Sequence, residues 1–350
     1  MKTNQYRRRL MQGIAGAGGL AMLSTHTLAQ SRTIAASSFA GAWEQALRTI
    51  LVPAYQKATN AGVNLVVSNP ADTISKLIAS KGGSAPFDVV LLDEGPSLTV
   101  PQEEVFAKIP ADKMPNLKDL PKKFVDALGF SVYCSAQIIG IAYNTEKVKR
   151  PPKSWNDLLR PEYKGRVGLA AMAGTMTQAW MAEIAKLNGG SEENMEPAFQ
   201  FVKKMLPNVS AITPTPGALA ALFQQGQVDI SVHYNNNVGD LQSKGVPIAL
   251  AKPDTGFVVL RSTMHITKNT KNLDLAAAYI NAAVSPEVQT KMSDAPYFLV
   301  PTNSKVPFSK GLQRLAKDMK ELESFSQVDW AKLNRRRIEY IERFNREVKI

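Results

Sequence analysis

From residue 31 onward, short apolar runs alternate with stretches in which apolar residues recur every three or four positions. Residues 31–36 read as a first strand, followed by Trp43, Ala46, Leu47, Ile50, Leu51 and Ala54 on helical spacing. A second strand is expected over 63–68, and Ile74, Leu77 and Ile78 fall on one helical face. Residues 87–92 form an unbroken apolar run, the pattern of a strand buried on both faces. Pro96, Pro101, Pro110, Pro115 and Pro121 then mark loops and short turns. Further strands are expected over 138–143, 167–172 and 229–233, with extended segments over 256–260 and 263–267. Helices are expected over 176–187, 218–225, 273–284, 286–292, 310–322 and 329–348. Such alternation defines an α/β protein, and 350 residues suffice for two units of ordinary domain size.

The first 29 residues follow a different logic. Lys2, Arg7, Arg8 and Arg9 give a basic start, residues 10–23 are small and apolar, and the segment closes on Thr27-Leu28-Ala29. That is the layout of an export signal cleaved after Ala29. Its apolar core is shorter than the roughly 20 residues that span a bilayer. Arg7-Arg8 within Arg-Arg-Arg-Leu-Met-Gln also matches a twin-arginine signal. Gly16-Ala17-Gly18-Gly19-Leu20-Ala21 fits a dinucleotide-binding G-x-G-x-x-A, but no strand precedes it and it lies inside the cleaved segment. The match carries no function.

Composition narrows the chemistry. The 44% hydrophobic content supports a buried core. Cys134 is the single cysteine and His26, His233 and His265 are the only histidines, so no intrachain disulfide or cysteine-based metal site can form. The net charge of +12 falls to +8 once the four basic residues of the signal are removed. The densest remaining run, Arg335-Arg336-Arg337, reads as a solvated helix face rather than a nucleic-acid patch. No G-x-S-x-G, H-E-x-x-H or C-x-x-C occurs, which argues against an exported hydrolase and for a protein without catalytic residues, metal or cofactor.

Three stretches carry a family resemblance. They are Ile139-Gly140-Ile141-Ala142-Tyr143-Asn144-Thr145-Glu146-Lys147-Val148, then Pro152-Lys153-Ser154-Trp155-Asn156-Asp157-Leu158-Leu159 running on to Pro161-Glu162-Tyr163-Lys164-Gly165-Arg166-Val167, and Tyr279-Ile280-Asn281 with Ser285-Pro286-Glu287-Val288-Gln289 and Pro301-Thr302-Asn303. Together they resemble the bacterial extracellular solute-binding proteins of ATP-binding-cassette (ABC) importers, in the branch of spermidine/putrescine-, thiamine- and ferric-iron-binding proteins. Read from the residues alone, these motifs are structural: Ser154 fits an N-cap with Asp157 as its partner in the first turn, and Trp155 packs the short helix. The resemblance implies an α/β two-lobe periplasmic-binding-protein fold of type II, with a hinge and a ligand cleft. Residues 31–137 plus 257–350 would form one lobe and 138–256 the other, with crossings near 135–143 and 251–257 and C-terminal helices mostly on the first lobe. It also implies a periplasmic location, a small-molecule solute, an inner-membrane ABC permease as partner, and a monomer.

Ligands of open α/β sheets sit beyond the carboxyl ends of strands, near helix N-termini. That rule selects Ser38 and Phe39 after the first strand, Thr73 after the second, and Asp93 and Glu94 after the third. On the other side it selects Thr175 before a helix, Tyr234 and Asn235 at a strand end, and Asp254 and Thr255 near the return crossing. Ser38 and Thr73 could equally cap helices, and His233 points opposite to Tyr234, into the core. A cationic amine would use carboxylates and aromatics such as Asp93, Glu94, Asp254, Phe39 and Tyr234. The branch implies a polyamine-like solute, although the positions where polyamine binders carry an aromatic and an aspartate hold Leu260 and Ser262. A thiamine-like solute, a small anion or ferric iron is the alternative. The tandem tyrosines of ferric binders are replaced by His233-Tyr234-Asn235.

Overall fold

Ten strands organise the computed structural model, which describes residues 32–80 and 83–350. The export signal and its twin-arginine motif lie outside the described residues. The strands are β1 (Thr33–Ser38), β2 (Gly62–Val67), β3 (Val89–Asp93), β4 (Val132–Asn144), β5 (Val167–Ala170), β6 (Val209–Thr213), β7 (Ile230–Tyr234), β8 (Ile248–Ala251), β9 (Val258–Ile266) and β10 (Ser326–Gln327). They form one hydrogen-bonded path, β2-β1-β3-β9-β4-β7-β5-β6, with β8 added to β4 and β10 to β9. The fold is mixed α/β with a curled sheet.

The path is continuous because β4 belongs to both ends of it. Val132 to Ile139 pair antiparallel with β9, whereas Ile139 to Tyr143 pair with β7 and Ile141 to Asn144 with β8. The ladder therefore has no gap between the two halves, only a change of partner at Ile139. Two cores flank that change. One gathers Trp43, Leu47, Tyr55, Leu91 and Tyr279; the other gathers Trp155, Trp180, Phe199, Ile230 and Tyr340.

Local chemistry explains most elements. All five residues of β3 are buried, as its apolar run requires. Asn69 caps the helix Pro70–Ala79 by accepting from the Asp72 amide at 2.9 Å. Ser154 and Asp157 form the reciprocal capping box, with Asp157 also accepting from the Lys153 amide at 2.6 Å. Trp155 is buried beside Trp180, ring centroids 6.4 Å apart.

The structure also departs from the pattern. The two extended segments after residue 256 are one strand, β9. The helix expected over 310–322 is broken into Lys310–Gln313 and Met319–Ser324, because Asp318 caps a new start by accepting from Glu321 at 2.8 Å. Helices Glu196–Met205 and Asn235–Ser243 have no counterpart in the periodicity reading. The C-terminal helices divide. Leu273–Ala283 joins the first core, but Trp330–Glu347 packs mainly into the second through Leu333, Tyr340 and Phe344.

That last helix also reaches the first half. A Cβ placed on Gly95 would lie 2.3 Å from the Trp330 ring, and Asn334 Nδ2 donates to the Gly95 carbonyl at 2.9 Å. Only a residue without a side chain permits this approach. Gly95→Ala is expected to destabilise the protein by about 1–3 kcal/mol, the usual cost of overpacking. Chemical denaturation of the single variant, and of Gly95→Ala combined with Trp330→Leu, should show partial recovery in the double variant.

Candidate functional site

Asp93 ends β3 fully within the protein, at 4% exposure. Its carboxylate accepts from the Thr175 hydroxyl on Oδ2, and on Oδ1 from Gln137 Nε2 at 3.3 Å and the Ser262 hydroxyl at 3.4 Å. Gln137 lies on β4 and Ser262 on β9, directly across the ladder from Asp93. Thr175 opens the helix Thr175–Leu187 that follows β5 in the second half. One carboxylate thus joins the end of β3, both crossing strands and the far side. Burial pushes the Asp93 carboxyl up to about 6; the hydrogen bonds from Thr175, Ser262 and Gln137 and the charge of Arg337 pull against that rise.

Tyr234 stands at the same place from the second half. It ends β7, precedes the helix Asn235–Ser243 and is 7% exposed. Burial first, and the Asp93 charge second, push its phenol well above the usual range, and Thr175 neighbours the hydroxyl. His233 faces the core as its alternation requires, with burial lowering it to about 4 and its Nδ1 accepting from the Tyr234 amide at 2.9 Å.

Glu94 forms an adjoining group. Burial raises its carboxyl, opposed by the charge of Arg261 and by a 3.0 Å hydrogen bond from Tyr133. Arg261 in turn donates to Gln327 Oε1 at 2.8 Å and lies 5.9 Å from the ring centroids of both Tyr133 and Phe124.

The remaining sequence-selected residues separate by role. Ser38 is buried and donates to the Phe39 carbonyl at 2.8 Å; Phe39 is half-buried, edge-on to Trp43. Thr73 is buried and bonds Ser68 Oγ at 2.9 Å, so neither Ser38 nor Thr73 is the cap of a helix. Asn235 is used by the scaffold. Its Oδ1 accepts from the Ile138 amide at 2.9 Å and its Nδ2 donates to the Phe298 carbonyl at 2.7 Å. Asp254 and Thr255 lie in an exposed turn held by the Asp254 amide on the Lys153 carbonyl, with no side-chain bond to the Asp93 cluster among the described residues. They precede β9 on its amino side, whereas the strand-end rule concerns carboxyl ends.

Sequence reasoning missed Gln137, Ser262, Gln178 and Arg337. Arg337 had a usable signal. Trp330, Leu333, Arg337, Tyr340 and Phe344 recur at three and four, so Arg337 sits on the buried stripe of its helix and not on the solvated face. Arg335 and Arg336 are the exposed members of the run, paired with Glu193 and Glu339. A surface hollow of about 170 Å³, lined by Lys147, Arg150, Glu162, Arg166 and Asp229 among others, lies at the opposite end of β7 from Tyr234. Its charges pair with one another, Lys147 with Asp229 at 3.1 Å and Arg150 with Glu162 at 3.3 Å, which makes it an ion-pair network on the surface.

No group of three or more His, Cys, Asp or Glu side chains gathers as a metal site among the described residues. Nor is any helix among them long and apolar enough to cross a membrane.

The family described as bacterial extracellular solute-binding protein matches residues 51–320, and the chain belongs to it. The spermidine/putrescine-binding periplasmic protein of Escherichia coli is 24% identical over 260 residues, 72% of this chain and 74% of that protein. A gamma-aminobutyric acid-binding protein of Pseudomonas aeruginosa is 27% identical over 278 residues, 76% of each. In three dimensions the chain superposes on the periplasmic binding protein AfuA of Actinobacillus pleuropneumoniae with a TM-score of 0.75 at 20% identity, covering 92% of this chain and 99% of that one. The fold is therefore that of the two-lobe periplasmic solute-binding proteins.

The Asp93–Thr175 bond is one of the contacts between the two cores at the site. Thr175→Val keeps the shape and deletes the donor, so the Asp93 midpoint in the variant should lie above that of the unsubstituted protein, by roughly one pH unit or more. A carbon NMR titration of the Asp93 carboxyl measures it, and an unmoved midpoint would show that the hydroxyl does not hold the carboxylate.

Proposed function

We propose that this chain is the periplasmic capture component of an ABC uptake transporter, which encloses an amine-bearing solute, of the polyamine-like kind, against Asp93. The observation that carries this reading is a buried carboxylate held by three neutral donors and no ion pair among the described residues. A carboxylate in that position costs free energy to ionise, and a protonated amine is the partner that offsets the cost. Glu94, Tyr133 and Tyr234 add a second carboxylate and aromatic surface beside it. The names of the Escherichia coli and Pseudomonas aeruginosa relatives, spermidine/putrescine and gamma-aminobutyric acid binding, support an amine. Ferric iron would ask for a cluster of hard ligands, and Tyr234 is followed by Asn235, whose side chain is engaged with Ile138 and Phe298.

Capture works by bridging. A solute that touches both halves favours their closed arrangement in proportion to its preference for it. The reading assigns residues 31–137 plus 257–350 to one lobe and 138–256 to the other, with bending at the partner change on β4 and at the approach to β9. The export signal would be removed after Ala29, and the loaded monomer would dock on its inner-membrane permease.

The test is calorimetry of amine binding across pH. Only ionised Asp93 attracts an ammonium, so affinity should be flat above neutral pH and fall as pH drops below about 6, approaching tenfold per unit. Asp93→Asn should abolish that slope and cost about 2–5 kcal/mol of binding. Tyr234→Ala should cost about 1–3 kcal/mol as a lost aromatic anchor. Affinity that survives both substitutions unchanged would place the solute elsewhere.

A further inference from the structure

We propose that the surface hollow at the amino end of β7 is a second binding site, separate from the solute cleft, and that it takes a phosphate group.

The charged lining of the hollow is Lys147, Lys149, Arg150, Glu162, Arg166 and Asp229. Four cations stand against two carboxylates, so the ion pairs leave a positive surplus of two, close to the charge of a phosphate near neutral pH. The volume of about 170 Å³ equals roughly five or six waters at about 30 Å³ each, room for a phosphate with part of its hydration.

The donors are unevenly committed. Asp229 is 7% exposed and anchors two cations, Arg166 through its Nε and Lys147 at 3.1 Å. The Gly226 carbonyl accepts from Arg166 Nη2 at 3.0 Å and from Lys147 Nζ at 3.3 Å. Those bonds set both side chains and leave Arg166 Nη1 without a hydrogen bond among the described residues. Arg150 reaches Glu162 with one nitrogen only, Nη2 at 3.3 Å from each carboxylate oxygen. The pair therefore lacks the parallel two-nitrogen geometry of a strong arginine–carboxylate contact, and both side chains are mostly in water, at 71% and 49% exposure. Lys149 is exposed and makes no ion pair or hydrogen bond among the described residues. Uncommitted donors on two arginines and a lysine around one hollow suit a tetrahedral anion, whose oxygens accept from several directions.

The backbone holds this lining in place. Asn144 Oδ1 accepts from the amides of Glu146 and Lys147 at 2.9 and 3.1 Å. The Asp229 amide donates to the Arg166 carbonyl at 2.9 Å, and the Arg166 amide to the Tyr163 carbonyl at 2.9 Å. Lys147 and Val148 close the first motif stretch and Glu162 to Arg166 the second, so the two meet at the hollow. Asp229 and Tyr234 are five residues apart along β7, about 16 Å at about 3.3 Å per residue. Every lining residue lies within 147–229, so occupation of the hollow does not require the cleft to close.

The experiment titrates the purified protein with inorganic phosphate at low ionic strength, followed by phosphorus NMR. Saturable binding is expected. Arg150→Gln and Lys149→Gln should each weaken it at least about fivefold. Glu162→Gln should tighten it about two- to fivefold by releasing Arg150, a gain that a merely structural role would not produce. Lys118→Gln, at an exposed position in the first half, should leave it unchanged, and Arg150→Gln should bind amines as the native protein does. Sedimentation with vesicles of phosphatidylglycerol in phosphatidylcholine separates the sources of the phosphate. Vesicle capture that Arg150→Gln abolishes assigns a lipid headgroup, and saturable phosphate binding without vesicle capture assigns a free anion. Binding of neither probe, an unaltered affinity in Arg150→Gln, or an equal loss in Lys118→Gln would overturn the site.

Discussion

A carboxylate taken out of water must be repaid by donors, and the donors around Asp93 come from everywhere except its own strand. Gln137 and Ser262 reach it from the two strands that cross between halves, and Thr175 from the opposite side. The three are neutral, so the carboxyl is held but not fully compensated, as its rise to about 6 records. In the proposed capture of an amine, that unfinished compensation is what an incoming cation would relieve. A carboxylate already locked in a tight ion pair would gain little from an incoming cation.

The same interaction constrains how the halves can move. β4 is a single strand of 13 residues serving two sets of partners, and Gln137 lies two residues before the change at Ile139. In the proposed two-lobe division, bending there would alter the relation of Asp93 to Thr175 while leaving each half's ladder intact. The C-terminal helix complicates the motion. Tyr340 packs on Phe199 in the second core, with ring centroids 6.3 Å apart, while Trp330 and Asn334 rest on Gly95 beside Asp93. An opening hinge must either carry this helix with the second half and strip Trp330 from Gly95, or bend it.

The legibility of these features in the sequence follows their range. β3 and Asp93 were readable because an apolar run ending in an acid is a local pattern. The capping box at Ser154 was readable for the same reason. The helix Asn235–Ser243 was not, because three asparagines disfavour helix and tertiary bonds from Asn235 to Ile138 and Phe298 hold its start. Gln137 and Ser262 were silent because their meaning depends on register between segments 125 and 169 residues apart. The resemblance to polyamine binders implied an acid at the position of Ser262; here the acid stands opposite it, on Asp93. Arg337 was misread through its neighbours: a run of three arginines looks solvated until the positions of Leu333 and Tyr340 are counted.

In the proposed reading, Thr175 would make the affinity for an amine a difference rather than a sum. Its hydroxyl bonds the Asp93 oxygen, so in the proposed reading an incoming ammonium would replace a neutral hydrogen bond with a charged one. The gain is the distinction between those two, on the order of 1–2 kcal/mol in hydrogen bonding plus the relief of a buried charge. The protein's surplus of positive charge works in the opposite direction, since it repels cations at long range. Screening within about 8–10 Å at ordinary salt removes most of that penalty before a solute reaches the site. In that reading, what remains would be decided within a few ångströms of Asp93, where the charge of Arg337 already opposes the carboxyl's rise.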